Sequence, residues 1–157
     1  MIGFSISALE KAPVKRSGSL PGEFLDLAAD DQFQAAGNFE YDLTAQLVSG
    51  GVLVSGSISA PVSSSCGRCL NDVEFTLSVD DLQLFFEIPD GMEILEADED
   101  LRAELLLQLP MNPLCAPDCR GLCPQCGANL NEKSCDCPQG NSAEKVSPWS
   151  ALDSLNL

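Results

Sequence analysis

The chain has 157 residues, with 24 acidic against 8 basic side chains, 8 cysteines and no histidine. Without imidazole there is no Ser-His-Asp triad, no histidine proton shuttle and no Cys₂His₂ finger. A formal charge of −16 argues against a broad phosphate-binding face, which needs clustered Lys and Arg. At 45% hydrophobic residues the chain is globular all the same. Its acidity either keeps it soluble or selects a basic partner. Met1 to Arg16 has neither the positive start nor the apolar core of a signal peptide, and no stretch approaches the ~18 apolar residues of a membrane span. The expected location is the cytoplasm, where paired cysteines read as metal ligands before disulfides.

Residues 1–38 form a weakly patterned N-terminal segment, with a helical turn expected around Phe24, Leu25, Leu27 and Ala28. From residue 39 the pattern sharpens. Phe39, Tyr41, Leu43, Ala45 and Leu47 alternate with polar residues, Ser49-Gly50-Gly51 interrupts, and Val52, Val54, Gly56, Ile58 and Ala60 resume, which predicts a hairpin. Beyond Cys66-Gly67-Arg68-Cys69, the runs Val73, Phe75, Leu77, Val79 and then Leu82, Leu84, Phe86, Ile88 predict two further strands. Six acidic residues and one Arg lie between Glu93 and Glu104. Asp98, Glu99 and Asp100 suit a helix N-terminus, Leu101, Leu105, Leu106 and Leu109 make its apolar stripe, and Pro110 stops it. The acidic run is read as a solvated helix start, with a docking patch for a basic partner as the alternative.

The fold class predicted is α+β, mainly β: an antiparallel meander or partly closed, barrel-like sheet with one or two short helices and a Cys-rich zinc-binding tail. The division is residues 1–38, a sheet domain with one helix over 39–110, a Cys-rich segment over 111–140, and a linker with a C-terminal helix over 141–157. In the last, Ser147 caps, Pro148 starts, and Trp149, Leu152 and Leu155 share a face.

The Cys-rich segment has almost no apolar periodicity, so a hydrophobic core cannot hold it. Cys123-Pro-Gln-Cys126-Gly has the form of a zinc knuckle, and Cys135 and Cys137 complete a Cys₄ set if the backbone bends at Asp136. Cys66 and Cys69 form a second knuckle between strands. With Cys115 and Cys119 they make a second site that would pin the tail to the sheet. One site with four spare thiols, or a permuted pairing, is the rival. An iron–sulfur cluster, disulfides, a redox pair and a catalytic zinc fit the spacings and the missing histidine less well. Arg68 and Arg120 flank ligand cysteines. Either they balance thiolate charge or, with Lys11, Lys15 and Arg16, they contact a partner or RNA phosphate.

The run Asn112-Pro-Leu-Cys-Ala-Pro-Asp-Cys-Arg-Gly-Leu-Cys-Pro-Gln-Cys-Gly, continuing to Cys135-Asp-Cys137, closely resembles the tail signature of the YceD-like family. The Cys66-Gly-Arg-Cys69-Leu turn and the closing Pro148-Trp149 pattern are similar to its other hallmarks. The resemblance, spanning roughly Phe39 to Leu157, implies a non-enzymatic factor for accumulation of large-subunit (23S) ribosomal RNA, acting in ribosome assembly or rRNA stability. Direct RNA binding by a zinc protein and a zinc/thiol redox sensor are the alternatives. The expected partner is a basic ribosomal protein or assembly factor, with rRNA contact as a second course and no membrane or small-molecule substrate. Two tetrathiolate Zn²⁺ sites, each net −2, would take the formal charge from −16 to −20.

Overall fold

The computed structural model describes residues 1–27, 32–89 and 91–137. In chain order the elements are β1 (Gly3–Ser5), α1 (Ile6–Leu9), β2 (Val14–Leu20), a 3₁₀ turn (Gly22–Leu25), β3 (Phe33–Ala35), β4 (Phe39–Val48), β5 (Gly51–Ser65), β6 (Asp72–Glu87), β7 (Ile94–Glu96) and α2 (Asp98–Leu106). The expected C-terminal helix and its Trp149 face lie outside the described residues. No helix among those described is long and apolar enough to cross a membrane.

The sheet grows from the hairpin that the alternation predicts. β4 and β5 pair antiparallel from Glu40–Ser59 to Val48–Gly51, leaving Ser49 and Gly50 as the loop, with Gly50 at φ 91°. β2 adds to the far side of β4, and β6 to the far side of β5. β3 takes the same edge of β5 as β4 does, opposite Val62–Ser64, where β4 has ended. All pairings are antiparallel.

Two expectations change. The runs 73–79 and 82–88 are one strand, β6, rather than two. Its apolar positions move from odd to even numbers because Asp80 and Asp81 together oppose Ser57, between the pairs Ile58–Val79 and Gly56–Leu82. This β-bulge restores the same face after one extra residue. Secondly, no described strand joins β2 to β6, so the sheet stays open instead of closing towards a barrel. Closure would need a tilted, staggered set of long strands. Here the apolar face is covered by other elements, which removes the drive to close.

That cover comes from the N-terminal residues and from the stretch that follows β6. β1 pairs with β7, placing Phe4 opposite Leu95, and the Ile2 amide donates to Asp98 Oδ1 at 2.6 Å. Ile2, Phe4, Leu25, Leu95, Leu101 and Leu105 pack in one buried cluster with Phe39, Leu43, Val54 and Ile58 of the sheet. Burial of each such large side chain contributes about 1.5–3 kcal/mol. The weakly patterned N-terminal residues are thus part of the main core. α2 starts at the expected acids but ends at Leu106, short of Leu109 and Pro110, and it buries Leu101 and Leu105 completely. Met1–Cys119 is one compact unit and a second begins at Arg120.

Candidate metal centres

All eight thiols gather into two groups of four. Cys66, Cys69, Cys115 and Cys119 form one, and Cys123, Cys126, Cys135 and Cys137 the other; within each, every sulfur lies within 4.8 Å of the rest. Both Cys135 and Cys137 reach the same group.

The first group is built on the β5–β6 turn. The Cys66 amide donates to Asn71 O (2.8 Å), the Leu70 amide to Cys66 O (3.0 Å), and the Arg68 amide to Cys66 Sγ (3.5 Å). Residues 112–119 are clamped onto this turn. The Gly67 amide donates to Pro113 O (2.8 Å), and Arg68 Nη1 donates to Cys119 O (2.9 Å). A Cβ at Gly67 would run into Asn112 Oδ1. Across the group, Cys66 and Cys119 sulfurs stand 3.9 Å apart and those of Cys69 and Cys115 3.5 Å. A tetrahedron with Zn–S of about 2.3 Å has edges of about 3.8 Å, so four thiolates at these separations fit one tetrahedral ion.

The second group repeats the turn. The Cys123 amide donates to Ala128 O and the Gly127 amide to Cys123 O, both at 2.8 Å. Cys66, Leu70 and Asn71 therefore match Cys123, Gly127 and Ala128. Gly127 has φ 73°, and Leu70 takes the same left-handed position at φ 62°. Sequence reasoning missed Leu70 and the Pro113 carbonyl. Aligning the two Cys-x₂-Cys runs on Gly127 would have marked Leu70. Cys66, Cys69, Cys119 and Cys123 are buried, whereas Cys115 and Cys126 are exposed.

The electrostatics match a cation site. Backbone N–H groups of Cys69, Arg68 and Cys115 aimed at its sulfur bring the Cys66 thiol down to about 6. Those of Cys126 and Gln125 do the same for Cys123, also to about 6. Neighbouring sulfur works the other way. Its hydrogen bond with Cys119, then Cys69, pushes Cys115 up to about 12, and that with Cys126 pushes Cys137 up to about 12. Cys135 is raised by its hydrogen bond with Cys123. Each group thus sets a thiol shifted down beside thiols shifted up, because adjacent negative sulfurs repel. A divalent cation bound there supplies the charge that lets all four ionise.

The basic residues singled out in the sequence do not gather into a patch of free charge. The Arg68 guanidinium is engaged by Cys119 O, Lys15 Nζ pairs with Asp42 Oδ1 at 3.0 Å, and Arg16 lies 5.8 Å above the Phe4 ring. Arg120 is exposed, its amide donating to Asn131 Oδ1 at 2.8 Å.

Fold and site define an open antiparallel sheet protein carrying two four-cysteine clusters able to hold a metal ion. Residues 85–156 match the family model described as "Large ribosomal RNA subunit accumulation protein YceD", a stretch holding six of the eight cysteines. An uncharacterised protein of Mycobacterium tuberculosis is 37% identical over 144 residues, covering 82% of this chain and 65% of the relative. One of Mycobacterium leprae is 31% identical over 122 residues, covering 69% and 54%. The chloroplastic YCED homolog 1 of Arabidopsis thaliana, named as a large ribosomal RNA subunit accumulation protein, is 33% identical over 64 residues, covering 41% and 20%. The alignment spans a little under two thirds of the M. tuberculosis relative's length. No solved structure matches the chain. Residues 85–156, a little under half of the chain, are thus similar to the YceD-like family.

Proposed function

We propose that this protein is a non-enzymatic, cytoplasmic factor for accumulation of large-subunit (23S) ribosomal RNA, acting in ribosome assembly or rRNA stability, with two structural Zn²⁺ ions holding its Cys-rich segment. The family match over residues 85–156 carries the reading. Four thiolates per cluster, with backbone N–H groups directed at the first sulfur of each, favour zinc in a closed structural site over a catalytic one. The working contact is with a basic ribosomal protein or assembly factor. Direct RNA binding by Arg68, Arg120, Lys15 and Arg16 is the weaker course, since three of the four cations already have partners in the fold.

Affinity capture from extract, with and without nuclease, tests this. Retention of a basic ribosomal protein after RNA digestion is the expected result. Loss of every partner on digestion would transfer the reading to RNA. Depletion of the protein is expected to lower large-subunit rRNA relative to small-subunit rRNA.

A further inference from the structure

The outward face of the five-stranded sheet is not flat. Three depressions follow the outer side of β5 in succession. The first lies over Ser57 and Ser59 and shares Ser59 and Glu40 with the second, which continues over Pro61 and Thr76. The third lies over Ser63 and Ser65. These outward positions are two residues apart along one strand, so the floor spans about 26 Å at ~3.3 Å per residue. Its side chains are short, which leaves room for another backbone to approach.

Acids form the walls. On the β4 side Asp42 and Glu40 stand beside Ser57 and Ser59; on the β6 side Glu74 and Asp72 stand beside Ser63 and Ser65. Lys15 already pairs with Asp42. Among the described residues no salt bridge engages Glu40, Asp72 or Glu74, all of which are exposed. Along each wall the acids are two residues apart, about 6.6 Å, the spacing of same-face side chains in any extended peptide.

We propose that this groove on the outer face of β5 binds an extended peptide with Lys or Arg at alternate positions, supplied by a basic protein partner. It rests on the functional reading above and gives that partner's contact a place and a pattern. A groove with acidic walls repels phosphate, so the same face disfavours RNA. Alternation is the distinctive requirement, because a block of consecutive cations on an extended chain turns half of them away from the walls.

The test uses the full chain and a 12-residue synthetic peptide alternating Arg and Thr, labelled for anisotropy. A peptide of the same composition with its arginines in one block is the comparison. The alternating peptide should bind more tightly, and the double variant Asp72→Asn, Glu74→Gln should weaken it about fivefold or more, as expected for two exposed ion pairs. The pair Glu99→Gln, Asp100→Asn, on the exposed start of α2, removes the same charge and should leave binding within about twofold. Equal binding of the two peptides, or equal losses in the two variants, would reduce the effect to net charge and overturn the groove. In nuclease-treated capture, undiminished retention of a basic ribosomal protein by the Asp72→Asn, Glu74→Gln variant would overturn the groove and leave the functional reading standing. Capture that depends wholly on RNA would overturn the functional reading, while the peptide comparison still judges the groove.

Discussion

Leu70 and Gly127 hold equivalent places in two turns of the same design, yet only one is suited to a left-handed backbone. A non-glycine residue there costs roughly 1–2 kcal/mol. Leu70 bears that cost at φ 62° because the Asn71 carbonyl, the Cys66 carbonyl and the Cys66 sulfur accept backbone N–H groups that fix the turn around it. Gly127→Leu should therefore destabilise the second knuckle by about 1–2 kcal/mol and weaken its hold on metal in chelator competition. Leu70→Gly should leave metal retention at the first knuckle equal or better. Unchanged retention in Gly127→Leu would contradict the equivalence. The ionisation pattern gives a second expectation at this scale. Near pH 7 Cys66 and Cys123, at about 6, are mostly thiolates, while Cys115 and Cys137, at about 12, are still thiols. Metal binding must expel those protons, so acid competes with metal and affinity falls as pH falls. Calorimetry in buffers of different ionisation enthalpy should show at least one proton released per cluster, and binding heats independent of buffer would contradict this.

Among the elements, long amphipathic ones were legible in the sequence and short ones were not. α2 announces itself through Asp98, Glu99 and Asp100 ahead of Leu101 and Leu105, and the β4–β5 hairpin through ten residues of alternation around Gly50. β1 and β7 have three residues each, too few to show a period, and Phe4 meets Leu95 across 91 positions of sequence. β6 misled for a different reason. A flip in apolar phase looks the same whether the chain turns back or carries one extra residue, and only the register with β5 distinguishes them. Gly56, next to Ser57 on the strand facing that bulge and at φ 146°, is where the fold needs glycine, since a Cβ would strike the Asp42 carbonyl. Gly56→Ala should cost about 1–3 kcal/mol in denaturant unfolding, against about 0.5 kcal/mol or less for the neighbouring Ser55→Ala. Equal midpoints for the two variants would show that the strand absorbs the added group.

At the scale of the molecule, two kinds of cohesion operate. Met1–Cys119 has a conventional apolar core, to which Ile2 and Phe4 contribute as fully as the sheet does. Residues 120–137 have little beyond their four thiols and a few turns, the Leu122–Asn129 bridge among them. The sequence carried the chemistry of this arrangement in its Cys-x₂-Cys spacings and in the shortage of apolar residues between them. Cys115 and Cys119 are drawn to a turn 46 and 53 residues earlier in the chain. A structural zinc is worth about 10–16 kcal/mol of apparent binding energy, far more than the apolar contacts of so short a segment. The most direct test of the account is metal stoichiometry by native mass spectrometry of the reduced chain. Two Zn²⁺ per chain are predicted, falling to one in Cys66→Ser and to one in Cys126→Ser, with the other cluster still loaded in each case. A single ion per chain, or loss of both from either substitution, would contradict two independent tetrathiolate centres.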